Sequence, residues 1–329
     1  PEPLGDGWAI ATPESVGLSS AVLGGIHAQL LREDRFPGSL GMLVVKDDKL
    51  VWETYLRRRG DRDHYQAVQS VTKSVTAIVF GMARERGFFG SLDETIATIF
   101  PDEMPGLAPP KPAISLRHLL TMSSGLTFDN VDFSLQMWTF HHDDPLRHIL
   151  DKPLYAAPGA RFVYRDADPQ VVGYALSRRT GRTEHSLAAE WLFGPLGITD
   201  YYWDRGPDDG ITMAAHGLHL RPRDLAKIGE LVLDGGSWRG RRLVSAEWIA
   251  EMTRAQTTSE TDDQHGVPFP YGYYWWIVPG GAAAWGNGGQ YVVVVPAKRL
   301  LLVHVALPDT ADMDGSHLGD FLELVAPLL

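Results

Sequence analysis

The chain has 329 residues, 44% of them hydrophobic, enough for one large core or two closely packed lobes. Its 30 Lys and Arg stand against 41 Asp and Glu, a net charge of −11, and without a Lys/Arg cluster this balance argues against a phosphate-backbone partner. There is no cysteine, which excludes disulfides, thiolate catalysis and Cys-zinc sites, and no apolar run approaches the ~18 residues of a membrane span. The opening residues do not read as a secretory signal. Pro1 is not an initiator Met, so a preceding segment can have been removed, and the compartment is left open with the cytoplasm as default.

Helical spacing of Ala21, Leu23, Ile26, Leu30 and Leu31 predicts a helix over 18–33, capped by Ser19 or Ser20. Residues 39–45 and 50–55 are apolar and β-branched and read as a hairpin turning through Lys46-Asp47-Asp48-Lys49. A polar stretch then leads into QSVTKSVTAIVFGMARERG, residues 69–87, one helix with an apolar middle and a basic end stopped by Gly87. Short helices follow at 93–100, 115–122, 145–150 and 169–180, punctuated by prolines, and two more at 223–233 and 245–254. Beyond about Pro268 the period changes to strand, over 271–278, 291–295 and 300–306, and a helix over 317–329 closes the chain. The expected architecture is α+β. An antiparallel sheet flanked by helices is built from 1–68 and 268–329, and a mainly helical lobe, 69–267, carries the 69–87 helix at the junction.

Three stretches carry chemistry. Ser70 and Lys73, in the chain's one Ser-x-x-Lys string, lie three apart at a helix start and so share a face. An ammonium beside a hydroxyl at the positive end of a helix dipole suits a nucleophile; the alternative is an ordinary Ser N-cap followed by a Lys. Tyr164-Arg165-Asp166 precedes a predicted helix, and a phenol near a cation such as Lys73 can exchange a proton with a serine. Otherwise Tyr164 packs at a loop–helix junction. Trp285-Gly286-Asn287-Gly288-Gly289-Gln290 lets backbone N–H groups converge as an oxyanion hole, or is simply a Gly-rich hairpin turn. His141-His142-Asp143-Asp144 has no third metal ligand at a usable spacing, so no metal is expected there. It reads as a solvated lip of the site, with Phe133, Trp138 and Phe140 lining a pocket beside it. Tyr273, Trp275 and Trp276 read as sheet core, or as core with one face reaching the cleft. The chain lacks a Gly-x-Ser-x-Gly elbow, a P-loop and a Gly-x-Gly-x-x-Gly string, which speaks against an α/β-hydrolase triad and against nucleotides.

Taken together, these motifs resemble the serine β-lactamase and penicillin-binding-protein superfamily, in its class C-like branch of esterases and 6-aminohexanoate-dimer hydrolases. The resemblance runs from about Thr12 to the end. It includes Leu119-Leu120-Thr121-Met122-Ser123-Ser124-Gly125, Pro158-Gly159-x-x-Phe162-x-Tyr164, Pro195-Leu196-Gly197-Ile198 and Arg223-Asp224-Leu225-Ala226-Lys227. It implies a mixed α/β lobe and a helical lobe with the site between them, Ser70 as the acylated nucleophile, Lys73 in the proton network and Tyr164 as general base and acid. The N–H groups of Ser70 and Gln290 would form the oxyanion hole, and no cofactor or metal is required. Asp166, Asn287, Gly288, Gly289, Trp138 and His141 are the expected substrate-binding residues.

Two departures narrow the substrate. Asp166 stands where the family has Asn, and an ionised Asp accepts but cannot donate. That favours Tyr164 over Lys73 as proton acceptor. Asn287-Gly288-Gly289 stands where β-lactamases present Lys-Thr-Gly, so it supplies neither positive charge nor a hydroxyl. The expected function is a serine hydrolase for carboxylesters or short linear amides, nylon-oligomer-type amides included, with weak β-lactamase and D-amino-acid peptidase activity. The alternative is a catalytically silent binding or scaffold protein on the same fold. The partner is a small-molecule ester or amide, and the oligomeric state is open.

Overall fold

The computed structural model describes residues 1–32, 35–127, 144–206, 210–257, 269–307 and 316–329. After the strand β1 (Ala9–Ile10) and the helix α1 (Ser20–Leu30), β2 (Ser39–Lys46) and β3 (Lys49–Tyr55) form the expected hairpin. Asp47 and Asp48 both take positive φ, 51° and 63°, the backbone of a tight two-residue turn matched to strand twist. Short strands β4 (Gln66–Ala67), β5 (Tyr202–Trp203) and β6 (Leu218–Leu220) make a three-stranded sheet in the order β4-β6-β5, and β7 (Ser237–Trp238) pairs with β8 (Arg241–Arg242). The last strands are β9 (Trp276–Val278), β10 (Gly281–Gly286), β11 (Gln290–Val295) and β12 (Leu300–Ala306).

The main sheet runs β1-β3-β2-β12-β11-β10-β9, with strands from near both ends of the chain. Its pairs are antiparallel except that β1 adds a short parallel edge to β3. β11 and β12 are buried throughout, because both faces are covered. On one face the helix Pro222–Leu233 packs on β2, β11 and β12, with Gly229 pressed against Val292 and Leu301. On the other, Phe321 of the helix Ser316–Val325 stacks on Tyr291. Pro222–Leu233 thus covers the sheet although it lies within 69–267.

Two expectations change. The aromatic run 271–278 is not one strand. Gly272 N donates to Trp275 O at 2.7 Å and Tyr274 has φ 61°, so the chain folds back before Trp276 enters β9. Tyr273, Trp275 and Trp276 are nevertheless buried as core. β10 escapes sequence reading because Gly-Gly-Ala-Ala-Ala has little strand preference and gains its place from pairing on both sides.

The helix α2 (Val71–Glu85) is the axis of the molecule, buried from Val71 to Ala83. Gly81 leaves room for Trp248, whose ring would meet a Cβ at about 2.1 Å, and Trp248 Nε1 donates to Ala77 O at 3.0 Å. Ser74 Oγ donates to Tyr274 O at 2.6 Å, tying α2 to the segment entering β9. Ser70 stands at the open end of this fixed helix.

Candidate active site

Ser70 and Asp166 have the same unusual local status. Each occupies the N-cap position of a long helix, α2 and Ala167–Thr180 respectively, and neither makes a side-chain cap bond. Caps usually spend Ser and Asp oxygens on helix N–H groups; here both oxygens go to Lys73. Lys73 Nζ donates to Ser70 Oγ at 2.8 Å and to Ala215 O at 2.8 Å, and lies 2.6 Å from Asp166 Oδ1. Lys73 is 1% exposed, so these oxygens and the Tyr164 phenol replace its water shell. The ordinary reading of Ser70 as a plain cap therefore does not hold.

The turn carrying Ser70 is held from behind. Gln69 has φ 50°, and its carbonyl accepts from both Thr72 N, at 3.0 Å, and Thr72 Oγ1, at 2.6 Å. β6 completes the grip: Val68 N donates to Leu218 O at 2.8 Å and Leu218 N donates to Thr72 Oγ1 at 3.2 Å.

Tyr164 comes from the loop before Ala167–Thr180 and is half-buried. Its phenol is hydrogen-bonded to Ser70 and Lys73, and its ring stacks on Trp276 at 5.7 Å, with Tyr271 edge-on at 6.1 Å. Burial raises the phenol pKa, and Lys73 offsets this only in part. For Lys73, burial pulls the ammonium down, but the Asp166 carboxylate and Tyr164 outweigh it and the pKa stands above the ordinary lysine value. The resting site holds an ammonium, a carboxylate and a neutral phenol. Arg165 is turned away from it, bonding Val163 O at 3.0 Å and Tyr155 Oη at 2.6 Å.

The Gly-rich string divides into two parts. A Cβ on Gly286 would stand 2.3 Å from Val68 O and 3.0 Å from Gln69 Cβ, so this glycine lies directly against the Ser70 turn. Gly289 and Gln290 face β12 instead: Gly289 O bonds His304 Nδ1 at 2.6 Å, and Gln290 Nε2 donates to Ala306 O at 2.6 Å. Register fixes the N–H directions. β9 and β10 meet through the two-residue turn Pro279-Gly280, so the closing pair Val278–Gly281 is hydrogen-bonded. Alternation then makes Ala282, Ala284 and Gly286 bond toward β11, with Gly286 opposite Gln290. Trp285, between Ala284 and Gly286, turns its N–H off the opposite edge, while Gly289 N donates to Gly286 O at 3.3 Å across the turn. Gly288, with φ 79°, and Gly289, with φ 98°, form the turn itself.

Of the expected site residues, Ser70, Lys73, Tyr164 and Asp166 come together, and Asn287 adjoins Gly286 at their edge. Trp138 and His141, with Phe133, Phe140, His142 and Asp143, lie outside the described residues. Among the described residues no group of three or more His, Asp or Glu could hold a metal. Sequence reasoning missed the Ala215 carbonyl and its neighbour His216. The imidazole of His216 is pushed down by burial, against the pull of Asp166. Missed too was His304, since a backbone acceptor and a lone strand histidine leave no motif.

A largely antiparallel sheet flanked by helices, with Ser70, Lys73 and Tyr164 gathered at the start of α2, is the arrangement of a β-lactamase/penicillin-binding-protein-like protein. The chain belongs to the beta-lactamase family, whose model matches residues 26–315. It is 30% identical over 195 residues to a lovastatin esterase of Penicillium rubens, covering 52% of this chain and 48% of that protein. It is 28% identical over 114 residues to a 6-aminohexanoate-dimer hydrolase of Paenarthrobacter ureafaciens, covering 34% of this chain and 29% of the other. These matches thus span half or less of the curated relatives' length. Among solved structures, a family VIII carboxylesterase superposes with a TM-score of 0.76 at 18% identity, over 98% of this chain and 99% of that one. At that identity the likeness shows the fold.

Proposed function

We propose that this protein is a serine hydrolase that forms an acyl-enzyme on Ser70 and cleaves carboxylesters or short linear amides. The observation that carries the reading is the Ser70 oxygen, withheld from its helix cap and bonded by Lys73 at 2.8 Å. Ser70 attacks the acyl carbon, and Tyr164, in contact with both Ser70 and Lys73, gives a proton to the leaving group. The oxyanion is received by the Ser70 N–H together with an N–H of the Gly-rich turn. Asn287, next to the Gly286 that abuts the Ser70 turn, and Gln290 opposite Gly286 are the candidates for that second donor. Water then releases the acyl group. The relatives named for ester and amide hydrolysis support this substrate range.

Hydrolysis of p-nitrophenyl acetate and butyrate tests the proposal. Wild type exceeds background, and Ser70→Ala loses roughly 10⁴-fold or more of kcat/KM. Equal rates in the two proteins would leave a silent scaffold as the better description.

A further inference from the structure

A serine that attacks a carbonyl must pass on its proton, and the resting site has few places to put it. Lys73 already points its protons at oxygens of Ser70, Ala215 and Asp166, and an ammonium has no lone pair. Tyr164 is a neutral phenol beside Ser70. Asp166 differs from both: its carboxylate is an acceptor, lies 2.6 Å from Lys73 Nζ, and is withheld from capping its own helix. Lys73 is in turn 2.8 Å from the Ser70 oxygen. Lys73 therefore bridges the Ser70 hydroxyl and the Asp166 carboxylate, donating to both.

We propose that Asp166 is the terminal acceptor of the Ser70 proton, reached through Lys73. The inference rests on the acyl-enzyme reading above. As Ser70 Oγ bonds to the acyl carbon, the carbonyl π pair moves onto its oxygen. Lys73 first passes to Asp166 Oδ1 the proton it directs there; the amine so formed turns its lone pair to Ser70 and takes the serine proton as Oγ attacks. Lys73 ends the step as an ammonium again, and one negative charge has moved from Asp166 to the oxyanion, so the charge of the buried site does not change. When the intermediate collapses, the bond to the leaving oxygen or nitrogen breaks and Tyr164 protonates that atom. Lys73 reprotonates Tyr164 and recovers its own proton from Asp166. An Asn at this position has no carboxylate to take the proton. The groups facing Asp166 are Lys73 from α2, Tyr164 from the adjoining loop and His216 from the segment before β6, with Asp204 beyond His216.

The test is the pH profile of kcat/KM for p-nitrophenyl butyrate in wild type, Asp166→Asn, Asp166→Glu and Ser70→Ala. Wild type is expected to stay active from neutral into mildly acid pH, because the acceptor is a carboxylate. Asp166→Asn should lose about 10²-fold at pH 6 and shift its acid limb upward by two units or more, because Lys73 or Tyr164 must then shed a proton first. Asp166→Glu should bring the limb back down, which a misfolded site would not do. A wild-type limb already above pH 7, or an Asp166→Asn limb that does not move, overturns the role given to Asp166. Activity retained in Ser70→Ala overturns the acyl-enzyme reading itself.

Discussion

Gly286 of β10 lies so close to the Val68 carbonyl that a Cβ there would stand 2.3 Å from the oxygen. The contact sets the distance between the sheet edge and the turn that presents Ser70. Gly286→Ala must push β10 and that turn apart, and displacements of about 1 Å in a catalytic array cost on the order of 10²-fold in rate. Steady-state kinetics on p-nitrophenyl butyrate should show that loss in kcat/KM, with a smaller change in thermal unfolding midpoint. Near-wild-type kinetics in Gly286→Ala would show that the spacing is not critical.

The far end of the same turn is gripped by His304. Gly289 O can only accept, so His304 Nδ1 carries the hydrogen, and Nε2 accepts from Ser39 Oγ at 3.0 Å. Burial pushes the imidazole pKa down to about 4, which keeps the ring neutral at working pH. His304→Phe keeps a ring in place but frees the Gly289 carbonyl. We expect kcat to fall about tenfold with KM changed less than threefold, and His304→Gln, which can still donate to Gly289, to lose less. An equal loss in both variants, confined to KM, would contradict this role.

Substrate charge should matter. Among the described residues the cation at the site is Lys73, and it is already paired with Asp166 at 2.6 Å. Asn287 and the glycines beside it add no positive charge for a β-lactam carboxylate. Nitrocefin kcat/KM should lie about 10²-fold or more below that of p-nitrophenyl butyrate, and parity between the two substrates would refute the assignment.

A different carboxyl sets a pH dependence of stability. Glu184 is fully buried beside Thr76, and burial pushes its pKa up to about 8 from 4.5. The folded protein thus holds this proton more tightly than the unfolded chain. The contribution is fully present below pH 4.5, declines as pH rises through about 8 and is constant above. Glu184→Gln should therefore unfold at a higher temperature than wild type at pH 8, by an amount worth about 1–3 kcal/mol, with the gap closing near pH 4.5. A gap independent of pH would refute the ionisation account.

Much of this was written in local sequence. The 39–55 hairpin, the 69–87 helix and the Ser-x-x-Lys and Tyr-x-Asp motifs depend on short-range signals: strand propensity at a tight turn, an apolar helical run and fixed spacing. What stayed hidden depends on pairing across the chain. β10 is an alanine strand held by neighbours on both sides, and the fold-back around Tyr274 is held by Tyr273 N donating to Met252 O at 3.0 Å. The Gly-rich string reads as one motif, yet the ladder register sends Gly286 toward Ser70 and Gly289 toward His304. The Ala215 carbonyl that completes the Lys73 shell carries no side-chain signal.

The central claim is that Ser70 becomes covalently acylated. Intact-mass analysis after treatment with a fluorophosphonate, followed by peptide mapping, tests it directly. One adduct per chain is expected, located on Ser70, absent in Ser70→Ala and slowed in Lys73→Ala. No adduct on the folded wild-type protein, or one on another residue that persists in Ser70→Ala, would contradict it.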